Sequence, residues 1–300
     1  MTRLLNQIKS FIRFSIPIFL DHPLWEGRRH LPFLRFLRLQ IIFALGETNI
    51  CLPWFTGLWL PICKGDSGLT GNYYLGLHEF RDMAFTAQLL KPGDLFVDIG
   101  ANLGSYSLIA SGLCKAQSIA FEPAPPAYEK LQKTIKANCL CDLISPRPYA
   151  LSSPSKYAAS DALWFSTDRD TINSFVDHTY YGKKQHVPIT TLDVQLEALH
   201  PTLIKIDVEG FEYDVLKGAS SSLASDSCLA IIIEGQTAEI STLLANAGFE
   251  DVGYDAFSRS IQELPVQLTS NKIWIKVAKR HQIQERLSSA PTSEIYGCSF

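Results

Sequence analysis

Short runs of consecutive apolar residues punctuate the middle of the chain, and several close on an acid. Leu95-Phe96-Val97-Asp98-Ile99, Ile119-Ala120-Phe121-Glu122, Leu203-Ile204-Lys205-Ile206-Asp207 and Leu229-Ala230-Ile231-Ile232-Ile233-Glu234 are the clearest. Continuous apolar character over this length predicts strands buried on both faces. A weaker strand is predicted from Ile144 to Leu151, where Pro146 and Pro148 interrupt. Phe249 to Phe257 and Lys272 to Val277 complete the set. Between the strands the spacing turns helical: after Gly104, through Tyr128, Leu131 and Ile135, and over 211–217 and 237–246. Strand and helix in alternation predict an α/β fold with a doubly wound, mostly parallel sheet.

The flanks read differently. A helix over about 79–90 precedes the first strong strand, and Lys91-Pro92-Gly93-Asp94 breaks it. Residues 50–64 read as short strands broken by Pro53, Gly57 and Pro61. Residues 152–186 are polar and predict an excursion with one hairpin that reaches over the site. Residues 1–46 are apolar and basic together, with one helix suggested by Leu4, Ile8, Phe11 and Ile12 and a second over Phe33–Phe43. Two roles fit them: packing on the main domain, or lying on an anionic membrane surface. The division expected is an extension over 1–76, a main domain over 77–280 and a loose tail over 281–300.

Charge and cysteine use narrow this. The net charge of -3 does not suggest a nucleic-acid binder. Residues 1–46 hold seven basic residues and two acids, which leaves the remainder at -8. Seven cysteines without a CxxC pair suit reduced thiols. No stretch approaches ~20 uninterrupted apolar residues, and Arg13 and Pro17 interrupt the signal-like run 11–20. The expectation is a cytoplasmic protein, with peripheral membrane contact through residues 1–46 left open.

Ligands of open α/β sheets bind beyond the carboxyl ends of the strands. Asp98, Glu122, Asp207 and Glu234 should therefore gather on one rim. Gly100 allows a sharp turn after its strand, and Gly104 allows close approach at the helix start. Asn102 stands where a dinucleotide fingerprint needs a second glycine, and its side chain would crowd a pyrophosphate. Asn tolerates left-handed backbone angles and can hydrogen-bond an amino acid's carboxylate or amine. Glu122, eighteen residues beyond Gly104, can accept both hydroxyls of a ribose. These demands describe S-adenosylmethionine better than a nicotinamide dinucleotide.

Val97-Asp98-Ile99-Gly100-Ala101-Asn102-Leu103-Gly104 resembles the nucleotide-binding loop of class I S-adenosylmethionine-dependent methyltransferases. Ile204-Lys205-Ile206-Asp207-Val208-Glu209-Gly210-Phe211-Glu212, with Thr191-Leu192-Asp193 before it and Val215-Leu216-Lys217-Gly218-Ala219 after it, is similar to the FkbM methyltransferase family. The resemblance spans about 78–280. It implies a Rossmann-like seven-stranded sheet with an antiparallel last strand, and O-methylation of hydroxyls on sugars, glycolipids or secondary metabolites. Ala150-Leu151-Ser152 lacks the acid that many class I enzymes place near the adenine. Adenine recognition would then rest on backbone groups around Ala150 or on Asn138.

For the acceptor side, Asp207 and Glu209 are candidates to orient or deprotonate the hydroxyl. Lys205 shares a sheet face with Asp207, as an ion partner or a substrate contact. Glu209 and Glu212 could instead cap the next helix. His178 and His186 are further candidate bases. Mg2+ on Asp207 and Glu234 is chemically possible, although no spacing demands it. The rival reading is a non-catalytic peripheral membrane or interaction protein that retains the fold.

Overall fold

The computed structural model describes residues 16–66, 68–155, 161–165, 173–174, 183–264 and 271–300. Its strands, in chain order, are β1 (Asn49–Pro53), β2 (Trp59–Cys63), β3 (Leu95–Ile99), β4 (Gln117–Phe121), β5 (Ile144–Arg147) and β6 (Ala150–Leu151). They continue with β7 (Asp161–Phe165), β8 (Asn173–Ser174), β9 (Lys183–Val187), β10 (Ile189–Thr190), β11 (Leu203–Ile206) and β12 (Ala230–Glu234). The last are β13 (Phe249–Asp255), β14 (Ser260–Gln262), β15 (Asn271–Lys276), β16 (Glu294–Ile295) and β17 (Cys298–Ser299).

The main sheet runs β14-β13-β15-β12-β11-β3-β4-β5. β5, β4, β3, β11 and β12 are parallel, and β15 inserts antiparallel between β12 and β13. The fold is the Rossmann-like, doubly wound α/β architecture that the apolar runs predicted. The sheet has eight strands rather than seven. The addition is β14, a three-residue strand that turns back antiparallel on β13. Its sequence, Ser-Ile-Gln, carries no continuous apolar run.

β3 explains why the strand pattern reads as continuous. Phe96 faces one apolar core, while Leu95, Val97 and Ile99 face the other, so both sides of the strand are dry. Lys205 and Asp98 are paired across β11 and β3 on the Phe96 side. Each is an ionisable group on a face that is otherwise mostly apolar.

Three local expectations change. The strand predicted over 144–151 splits after Arg147, and β6 pairs with β10 instead. β5 is the sheet edge, where a proline without an amide proton is tolerated. The polar excursion carries a three-stranded sheet, β8-β7-β9, rather than one hairpin. The loose tail is packed: the helix Arg280–Ser288 buries Ile283 and Leu287, and the β16–β17 hairpin buries Ile295, Cys298 and Phe300. Its few apolar residues are set at helical and hairpin spacing within a polar sequence, which hid them from a composition reading.

Residues 16–76 share the larger core with the main sheet. Trp25 is fully buried and donates Nε1 to the Leu75 carbonyl at 2.8 Å, and Trp54 donates to that of Gly76 at 2.6 Å. Asp66 pairs with Lys130 at 2.6 Å. Asn138 clamps β2 by accepting from the Trp59 amide at 2.7 Å and donating to the Trp59 carbonyl at 2.9 Å. That spends its side chain on the β1–β2 hairpin and removes it as an adenine contact. The helix expected around Leu4–Ile12 lies outside the described residues.

Candidate active site

Strand order reverses between β3 and β11. From β3 the chain moves outward to β4 and β5, then returns to place β11 and β12 on the other side. A crevice opens at such a switch point, beyond the strands' carboxyl ends. Here it is a cavity of about 210 Å3, lined by the loop after β3, the ends of β4 and β12, Tyr149 to Leu151, and the turn after β11.

The β3 loop is shaped by contacts that forbid most side chains. Gly100 has φ +79°, and a Cβ there would lie 1.8 Å from the Asp207 carbonyl oxygen. Its amide and that of Ala101 donate to the Phe121 carbonyl at 3.0 and 2.9 Å. Gly100 thus lets three strand ends meet, a tighter demand than the turn alone. Asn102 takes a left-handed φ of 49°, as its residue type permits. Gly104 has φ +88°, and a Cβ on it would press on Leu131 Cδ1 at 2.6 Å.

Glu122 and Asp98 hold this loop from two sides. The buried Glu122 accepts from the Asn102 amide through Oε2 at 2.8 Å and from the Ala124 amide through Oε1 at 2.9 Å. Both oxygens keep a second lone pair, and the residue lines the cavity. Burial pushes its pKa up to about 7 despite the two amides. Asp98 lies beneath the rim, 1% exposed, and accepts from Ser107 Oγ at 2.6 Å. Burial raises its pKa against the pull of Lys205 and Ser107. Ser107 ends the first helical turn after the loop, and Leu108–Leu113 continues as a π-helix.

Lys205 Nζ lies 2.7 Å from Asp207 Oδ2 and 4.7 Å from the centre of the Tyr106 ring. Burial alone would lower the Lys205 pKa. The carboxylates of Asp207, Glu79 and Asp98 outweigh it and hold the ammonium charged. Glu79 is fixed by the Tyr106 hydroxyl at 2.8 Å and by Asn271 Nδ2 at 2.9 Å. Burial also opposes the charge on Asp207, but Lys205 and a hydrogen bond from Glu234 prevail and its pKa falls. Glu234 is pushed up, first by that hydrogen bond and then by burial. The two carboxyls titrate as a coupled pair, with Asp207 held low and Glu234 pushed up.

Glu209 stands on the exposed turn after Asp207 with φ 53°. Burial and then the charges of Asp207 and Glu212 raise its pKa. Glu212 accepts from the amides of Gly210 at 3.0 Å and Val208 at 3.3 Å, so it braces the turn.

The structure thus brings Gly100, Asn102, Glu122, Ala150, Asp207 and Glu209 to one cavity. Asp98, Gly104 and Lys205 stand behind it. Glu234 was expected on the rim, but its hydrogen bond to Asp207 depends on β11 and β12 being neighbours, which linear spacing does not state. Glu79 and Tyr106 were not foreseen either; Glu79 comes from a helix start remote from the motifs, and Tyr106 from the helical turn just after Gly104. Where Mg2+ was conceivable on Asp207 and Glu234, the Lys205 ammonium already sits on Asp207. Among the described residues no cluster of three or more His, Cys, Asp or Glu is placed to hold a metal ion. His178 and the side chain of His186 lie outside what is described.

Residues 98–250, which run from the acid of β3 into β13, match the methyltransferase FkbM domain. The chain belongs to the FkbM methyltransferase family. Family relatives include the hexuronic acid methyltransferase AglP of Haloferax volcanii, 28% identical over 164 residues that cover 51% of this chain and 62% of that protein. The chain therefore aligns with less than two thirds of that relative. Methyltransferase sdnD of Sordaria araneosa is 26% identical over 206 residues, covering 57% of this chain and 79% of that one. The crystal structure of a methyltransferase FkbM from Methylobacillus flagellatus KT aligns with a TM-score of 0.40 at 15% identity, over 70% of this chain and 55% of that chain.

If Lys205 is the cation that balances this family member's buried carboxylates, Lys205→Met should destabilise it by about 3–5 kcal/mol at pH 7. Without the ammonium, the folded-state pKa values of Asp98 and Asp207 rise, so the folded variant takes up protons as pH falls. The loss relative to wild type should shrink towards pH 5. Urea unfolding at both pH values reads this; an equal or greater loss at pH 5 would contradict it.

Proposed function

We propose that the chain is an S-adenosylmethionine-dependent O-methyltransferase acting on a hydroxyl of a sugar, glycolipid or secondary metabolite. One observation carries the choice of donor. Among the described residues lining the cavity, Glu122, Asp207, Glu209 and Glu234 are carboxylates, and none is Lys, Arg or His. With Asp207 paired to Lys205 and the pKa values of Glu122, Glu209 and Glu234 raised, this lining is only weakly anionic. Yet it offers no cation to a dinucleotide's pyrophosphate and several carboxyl oxygens to the ammonium of an amino acid. When bound, S-adenosylmethionine supplies a methyl group already activated by the sulfonium charge.

The residues fit that donor in kind. Glu122, immobilised by two amides, offers its remaining lone pairs to ribose hydroxyls. Asn102 and the first turn after Gly104 face the amino-acid portion, with Asp98 fixing the turn through Ser107. Tyr149, Ala150 and Leu151 form the wall available to the adenine.

On the acceptor side, Asp207 and Glu209 separate by charge environment. Lys205 holds the Asp207 pKa down, which makes it a weak proton acceptor and a firm electrostatic anchor. Lys205 is a positioning residue here. Glu209, with a raised pKa and a place in the cavity lining, is the better base for the hydroxyl proton. Its left-handed backbone is held by Glu212, and strain of this kind gathers at functional turns.

Calorimetry with S-adenosylhomocysteine tests the donor site. Ionised Glu122 accepts hydrogen bonds better than its neutral form, so affinity should rise with pH through about 7. The expected gain from pH 6 to pH 8 is up to about tenfold, the change in ionised fraction below the pKa. Glu122→Ala should bind at least about tenfold more weakly at pH 8 and lose that slope, from one charged hydrogen-bonding group. No wild-type binding up to about millimolar refutes the donor assignment.

For the base, Glu209→Gln should lower kcat on a hydroxyl acceptor by about 10²-fold or more. Its affinity for S-adenosylhomocysteine should match wild type. A variant with unchanged kcat would exclude Glu209.

A further inference from the structure

The helix His30–Ala44 is apolar on two opposite sides. Pro32, Leu39 and Phe43 are buried against the core. On the other side Phe33, Leu37, Ile41 and Leu45 follow at four-residue spacing with Leu34 beside them, and all five are exposed, Ile41 by 59% and Leu45 by 80%. One apolar stripe suffices to seat a helix on a globular core. A second, facing outward, is an interaction surface.

Exposed arginines outnumber the acids near this stripe, where Glu26 and Glu47 flank the helix. Arg38 is exposed beside it, and Arg28 and Arg29 are exposed at the helix's amino end. Arginines at that end oppose the helix dipole, and the first turn holds no acid to offset them. Helix stability therefore does not account for their place. Arg35 differs: its guanidinium lies between the Trp25 and Tyr296 rings at 4.3 and 4.0 Å. Arg28 donates to the Gly297 carbonyl and to Cys298 Sγ, so two arginines serve the packed structure and Arg29 and Arg38 remain exposed with the apolar stripe.

We infer that this face docks on an anionic lipid surface, with Phe33, Leu34, Leu37, Ile41 and Leu45 entering the headgroup boundary and Arg29 and Arg38 meeting lipid phosphates. Apolar residues flanked by arginines are what an interfacial helix needs. Among the described residues no helix is long and apolar enough to cross a membrane, so the contact is peripheral. The rest of the chain is acidic, which orients the basic face towards the bilayer. This inference does not depend on the methyl-transfer reading.

Vesicle co-sedimentation of the full chain tests it. Wild type should pellet with phosphatidylglycerol vesicles, bind phosphatidylcholine vesicles more weakly, and lose the difference in high salt. Leu37→Glu combined with Ile41→Glu should lower partitioning at least about tenfold, since two buried aliphatic contacts are lost. Both positions are exposed, so the variant's unfolding midpoint and S-adenosylhomocysteine binding should match wild type. Wild type that stays in the supernatant overturns the inference. So does a double variant that pellets like wild type, which would move binding to another segment. A lipid-free wild-type dimer that the double variant dissociates would assign the face to a second copy and equally overturn it.

Discussion

The ammonium of Lys205 sits among carboxylates that could not share so small a space without it. Asp207 touches it directly, and Asp98 and Glu79 complete the surroundings. Burial raises the energy of each charge, and only close pairing makes such a group tolerable. The parallel register of β3 and β11 sets Lys205 opposite Asp98, so the charge balance and the sheet register support each other. The cavity rim follows from this. The Asp207 pKa is held low, that of Glu234 is pushed up, and the turn carrying Glu209 is braced by Glu212.

Much of this was legible in residue order because it rests on local geometry. Continuous apolar runs mark strands buried on both faces, and an acid at each run's end marks the rim. Gly100 and Asn102 report left-handed backbone positions directly. What could not be read came from contacts between distant segments. The coupling of Asp207 to Glu234 needs β11 beside β12. The support from Glu79 and Tyr106 needs a helix start and a loop helix folded under β11. Asn138 could be read as a ligand contact because sequence does not show β2 lying across it. The tail's burial was hidden because Ile283, Leu287, Ile295 and Phe300 are few among polar neighbours.

The cavity and the helix His30–Ala44 differ in charge. The cavity is lined by acids, which suits a cationic methyl donor and a neutral hydroxyl. The helix His30–Ala44 carries an outward apolar stripe with Arg29 and Arg38 exposed near it, which suits an anionic surface. Membership of the FkbM methyltransferase family fits the first feature, and the second belongs to the extension outside the matched residues 98–250.

A crystal structure with S-adenosylhomocysteine tests the acid-lined donor cavity most directly. The ribose hydroxyls should lie within hydrogen-bond distance of Glu122, with the sulfur turned towards Asp207 and Glu209. A nucleoside bound away from Glu122, or a sulfur facing away from the turn after β11, would contradict it.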